Sequence, residues 1–172
     1  MRKFIQVVTV YFCLSAASLT FVYAQNECNC CSESYESFDF WIGKWSVTDP
    51  SGKVVGSNTI TKMEDGCVIR EEWKAANGTY TGTSYNFYNS KEKQWEQLWI
   101  DNQGQHLKLK GNREGSKMIL ASEPTKDRSG ETIINRITWR ANSDGIVRQL
   151  WEVLKQDGSK TTAFDGLYKK VD

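Results

Sequence analysis

The chain has 172 residues, with 22 basic and 21 acidic residues, a formal net charge of +1 and 39% hydrophobic content. That length fits one domain with a real core. The balanced charge, with no long basic run, speaks against a nucleic-acid partner, because phosphate neutralisation needs clustered Lys and Arg.

The first residues, Met1-Arg2-Lys3, are basic, and Phe4 to Val22 carry no charge. Val22-Tyr23-Ala24 then places small residues before Gln25. This pattern predicts a secretory signal peptide over residues 1–24, cleaved after Ala24. A retained membrane anchor is the alternative, weakened by Ser15, Ala16, Ala17, Ser18 and Thr20. Neither Cys13 nor Cys28 follows the Leu-small-small context of a lipid-modified cysteine. Removing Arg2 and Lys3 from the 22 basic residues leaves 20 against 21 acidic ones, a net charge of −1. No second apolar span follows, so the mature chain is expected in the periplasm or secreted, without a membrane partner.

Residues 25–34 form a polar, Cys-rich leader, and residues 35–172 the single folded domain. Tyr35–Ile42 predicts a helical turn with Phe38, Trp41 and Ile42 on one side. After Gly43 the chain becomes short β-rich runs. The predicted strands are Lys44–Thr48, Val54–Met63, Cys67–Lys74, Tyr80–Asn89, Gln94–Asp101, His106–Gly111, Lys117–Ser122, Thr132–Arg140, Ile146–Lys155 and Lys160–Lys169. Glycine-bearing turns separate them, among them Glu64-Asp65-Gly66, Asn77-Gly78, Asp144-Gly145 and Asp157-Gly158. About ten strands at near-regular spacing, with no helical periodicity between them, predict an all-β, antiparallel up-and-down barrel. Closure removes the exposed edges of so many strands.

Alternation assigns faces. Cys67, Ile69, Glu71 and Trp73 share one, as do Trp95, Gln97, Trp99 and Asp101. Val147, Gln149, Trp151 and Val153 share another, opposite Arg148, Leu150, Glu152 and Leu154. Acids and amides interleaved with tryptophan predict either an internal hydrogen-bond network or a wet cavity, since unpaired buried polar groups are costly. The expected ligand-binding residues are Glu71, Trp73, Trp95, Gln97, Trp99, Asp101, Gln149 and Trp151. The alternative is that the tryptophans fill the barrel and the polar groups pair with one another.

Phe38-Asp39-Phe40-Trp41-Ile42-Gly43-Lys44-Trp45 carries a resemblance. A helical turn followed by Gly-x-Trp on the first strand resembles the opening of calycin barrels, the group of lipocalins and fatty-acid-binding proteins. The resemblance implies that Trp45 plugs one barrel end against a basic residue of a late strand: Arg148, Lys169 or Lys170. More closely, the chain resembles a family of uncharacterised exported bacterial proteins that open with Asp-Phe-Trp-x-Gly-x-Trp. The matching segments are Gly66-Cys67-x-Ile69-x-Glu71-x-Trp73, Trp95-x-Gln97-x-Trp99-x-Asp101 with Gly104, Arg148-Gln149-x-Trp151-Glu152 and Phe164-Asp165-Gly166-x-Tyr168. They span nearly all of the mature domain and imply a fold rather than a chemistry.

Four cysteines follow the predicted cleavage site: Cys28, Cys30, Cys31 and Cys67. Export favours disulfides, and the expectation is Cys67 joined to one of the three leader cysteines. A Cys28-x-x-Cys31 redox pair or a four-thiolate zinc site are the sharper alternatives, and no metal is expected. His106 is the only histidine. Calycin-like barrels that hold haem through a histidine raise that question for it. His106 shares its face with Lys108 and Lys110, which places it outside or at a rim, and no cofactor is expected. The catalytic candidates are Glu71 with Asp101 as a general acid and base, or Asp165. No Gly-x-Ser-x-Gly elbow occurs.

The leading expectation is therefore an exported barrel that binds a hydrophobic or amphiphilic small molecule. The alternatives are a calycin-shaped enzyme using interior carboxylates, or a structural, partner-binding exported domain. Oligomeric state is not encoded in any of these patterns.

Overall fold

Eleven extended segments alternate with tight turns along the computed structural model, which describes residues 28–171. The predicted signal peptide lies outside the described residues. The strands are β1 (Gly43–Thr48), β2 (Val54–Met63), β3 (Val68–Ala75), β4 (Thr81–Asn89), β5 (Gln94–Asp101), β6 (His106–Glu114), β7 (Lys117–Ala121), β8 (Thr125–Lys126), β9 (Thr132–Ala141), β10 (Val147–Lys155) and β11 (Lys160–Lys170). Each long strand pairs antiparallel with its chain neighbour, β7 passing to β9, and β11 returns to pair with β1. Ten strands thus close into an up-and-down barrel, and the two-residue β8 extends the β7 line against β9. This is the all-β architecture expected from the alternation and turn spacing, and it is compatible with a calycin-like fold.

The expected helical turn is split. A short helix, α1 (Glu33–Glu36), precedes a 3₁₀ turn over Asp39–Trp41. Together they cap one end of the barrel. Phe38 and Trp41 are fully buried and stack at 5.0 Å between ring centroids. Phe38 also meets the edges of Trp95 and Trp139, at 5.5 Å and 5.2 Å. Aromatic pairs in these geometries contribute beyond their burial. Polar contacts fix the cap from outside. The Trp95 indole donates to Ser37 Oγ at 2.8 Å, and the Arg113 guanidinium donates to the Ser37 carbonyl at 2.9 Å.

Trp45 lies beneath this cap, almost fully buried, its indole N–H donating to the Trp41 carbonyl at 2.9 Å. Of the three basic candidates for its partner, Lys170 places its ammonium 5.4 Å from the ring centroid. Arg148 is instead engaged by Asp165 on the outside of the barrel.

Two disulfides hold the leader. Cys30 joins Cys67, across a separation of 37 residues, and Cys28 joins Cys31. The first ties the leader to the start of β3 at the capped end. The second closes a local loop, and together the two bonds take up the thiols that a four-thiolate zinc site would use. Disulfides suit an oxidising, extracellular environment. No helix among the described residues is long and apolar enough to cross a membrane.

Candidate functional site

The barrel interior is layered. Against the cap lie Trp41, Trp45, Trp95, Trp139 and Met118, all buried. The opposite end, where β1 turns into β2, β5 into β6 and β10 into β11, holds a cavity of about 410 Å³. Trp73, Trp99, Trp151 and Phe164 form its aromatic wall, with Val55, Leu107 and Ile137 beside them. Unlike the tryptophans under the cap, these keep partial exposure.

Glycines make room for the rings. A Cβ on Gly82 would lie 2.2 Å from Trp99 Cζ2, and one on Gly56 would lie 2.5 Å from Trp73 Cη2. Each ring therefore covers a bare stretch of the wall instead of projecting across the barrel. Trp73 and Phe164 meet edge to face at 5.7 Å. Trp151 is fixed by its indole N–H, which donates to Asn135 Oδ1 at 2.9 Å.

A polar belt borders the cavity on its inner side. Neighbouring strands contribute Asn58 (β2), Glu71 (β3), Ser84 and Asn86 (β4) and Gln97 (β5), all buried. Asn58 Nδ2 donates to Glu71 Oε1 at 2.7 Å, and Ser84 Oγ donates to Glu71 Oε2 at 2.6 Å. Asn86 Nδ2 donates to Ser84 Oγ at 2.9 Å, and Gln97 Nε2 donates to Asn86 Oδ1 at 2.7 Å. Across the barrel, the Tyr168 hydroxyl donates to Gln149 Oε1.

Burial pushes the Glu71 carboxyl up to about 7, against the opposing hydrogen bonds from Ser84 and Asn58. Burial also raises the Tyr168 phenol, as does the nearby Glu71 charge. Tyr80, at the cavity rim, is raised by burial and by its hydrogen bond to Asp101.

The structure brings Glu71, Trp73, Gln97, Trp99, Gln149 and Trp151 together around this cavity. It places two other expected residues elsewhere. Trp95 points inward but at the capped level, bound to Ser34 and Ser37. Asp101 ends β5 at the mouth of the β5–β6 turn, where Oδ1 accepts the backbone N–H groups of Gln103 and Gln105 and Oδ2 accepts the Tyr80 hydroxyl. Burial opposes its ionisation, but those three donors outweigh it and hold the carboxyl below its usual range. Asp165 forms an outer pair with Arg148. The three carboxylates considered for catalysis are thus dispersed: one inside, one at a strand end and one outside. His106 is exposed at the start of β6, beside Ile100 on the outer face.

Tyr80, Tyr168, Phe164, Asn58, Ser84 and Asn86 also belong to the cavity or its belt but do not stand out in the sequence. One signal does mark five of them: Gly56-x-Asn58, Gly82-x-Ser84-x-Asn86 and Phe164-x-Gly166-x-Tyr168 share the parity of inward glycines. Comparison with protein-family models and with curated proteins returns no match.

Proposed function

We propose that this protein is an exported carrier or receptor that binds one small amphiphilic molecule in the barrel cavity. The observation that carries the reading is the shape and lining of the interior. A volume of about 410 Å³ falls within the range of ligand pockets, as does a mostly apolar wall with a few convergent polar groups. A barrel packed for stability alone would be filled at this level by side chains, as it is under the cap. The aromatic rings would take the apolar body of the molecule. Glu71, Gln97, Gln149, Tyr80 and Tyr168 would orient its polar end.

Titration of intrinsic Trp fluorescence tests this reading. Trp73, Trp99 and Trp151 line the cavity, so a small aromatic amphiphile should change their emission saturably. A protein that shows no saturable response to any of a set of neutral, anionic and cationic aromatics contradicts it.

A further inference from the structure

The charge inventory of the cavity is one-sided. Glu71 is the single carboxyl among its lining residues, and none of them carries a basic group. Both Glu71 oxygens accept from neutral donors, Asn58 and Ser84, and each retains a second acceptor position. Of the fully buried belt atoms, Asn58 Oδ1 stands without a partner, and it too is an acceptor. Uncharged donors remain, among them the Gln149 amide, but no lining residue supplies a charged donor to Glu71. Three indole rings, Trp73, Trp99 and Trp151, surround the space above it, and indole faces attract cations.

From this arrangement we infer that the cavity selects an organic cation, a protonated amine on a compact apolar or aromatic body, and discriminates against carboxylates. The inference rests on the proposed binding role of the same cavity. An ammonium group beside Glu71 turns an unpaired buried carboxylate into an ion pair, which offsets part of the penalty for ionising it. An anionic head group would meet Glu71 with no Lys, Arg or His to receive it, and like charges in a site of low polarity disfavour each other strongly.

The titratable groups facing Glu71 are Tyr168 from β11 and Tyr80 at the rim, phenols that are protonated at neutral pH and that burial raises further. Asp101, behind Tyr80, is ionised throughout that range. Glu71 is therefore the group whose charge changes near neutrality. An alkylamine stays protonated up to about pH 10. Cation affinity should then follow Glu71 ionisation and rise with pH.

Three indoles of similar size separate the possibilities in isothermal titration calorimetry: tryptamine, the neutral tryptophol and anionic indole-3-propionate. The expected order is tryptamine, tryptophol, indole-3-propionate, with tryptamine at least about tenfold tighter than tryptophol at pH 8. Tryptamine affinity should rise about tenfold between pH 6 and pH 8 while that of tryptophol does not rise. In Glu71→Gln the preference for tryptamine should collapse to about twofold or less. If that variant does not fold, the pH series on the unaltered protein still decides. Equal binding of the three, or preference for indole-3-propionate, overturns the charge assignment and leaves the cavity reading standing. Binding of none overturns both.

Discussion

Trp99 lies on Gly82: a Cβ there would come within 2.2 Å of Trp99 Cζ2 and 2.3 Å of Cη2. The space that stays open in the barrel depends on this contact, because the ring can lie along the wall only where the wall has no side chain. Gly82→Ala should therefore keep the strand and displace the ring into the cavity. The expected stability loss is about 1–3 kcal/mol, the range for overpacking, with weakened binding of aromatic amphiphiles. Urea unfolding and fluorescence titration of the variant check both effects. Unchanged binding would show that Trp99 does not bound the occupied space.

Filling the cavity from the other side gives a complementary result. Leu107 lines the space on β6 and pairs with Trp99. Leu107→Trp should remain folded, with stability altered by roughly 1–3 kcal/mol, and should lose binding of tryptamine and tryptophol alike. Retained binding with a native far-UV spectrum would place the bound molecule outside the barrel.

Glu71 ties stability to pH. Its carboxyl stands at about 7 in the fold against an ordinary 4.5, so the folded protein holds this proton more tightly than the unfolded chain. The resulting stabilisation is complete below pH 4.5 and is lost as the pH rises through 7. The loss approaches roughly 3 kcal/mol at alkaline pH. Glu71→Gln removes this dependence, so the variant should gain on the parent between pH 5 and pH 8 in urea unfolding. A difference between the two proteins that is the same at both pH values refutes the assignment.

The two disulfides should contribute unequally. In the chain-entropy account, closing the Cys30–Cys67 loop of 37 residues is worth about 4 kcal/mol, and closing the three-residue separation of Cys28–Cys31 is worth less than about 2. Replacing Cys30 and Cys67 by Ala should lower the melting temperature far more than replacing Cys28 and Cys31. It should also loosen the cap, seen as faster hydrogen exchange at the Trp95 indole. Equal losses in the two double variants would contradict the loop argument.

Much of this architecture is legible in the chain itself. The spans Val54–Met63 and Gln94–Asp101 coincide with β2 and β5, because turn residues end both strands sharply. The parity of Glu71, Gln97 and Gln149 puts them on the inner face. Parity does not fix depth, however. Trp95 and Trp99 share a face on β5, yet one reaches the cap and the other the cavity. Their levels follow from strand tilt and cross-strand register, which pair residues distant in the chain. Asp101 has the right parity as well, but at a strand end the turn amides of Gln103 and Gln105 compete for its carboxylate and win. The pairing of Cys30 rather than Cys28 or Cys31 with Cys67 likewise depends on how the leader runs across the capped end, which no local pattern encodes.

The return of β11 to β1 has a consequence for how the barrel comes into being. All other long-strand pairings join neighbours along the chain, so most of the sheet can assemble in sequence as the polypeptide lengthens. Until β11 arrives, β1 and β10 are bare edges, open to pairing with another molecule. The same late strand carries Phe164 and Tyr168, two parts of the cavity lining. Completion of the cavity wall and protection of these two edges therefore both depend on the pairing of β11 with β1 and β10.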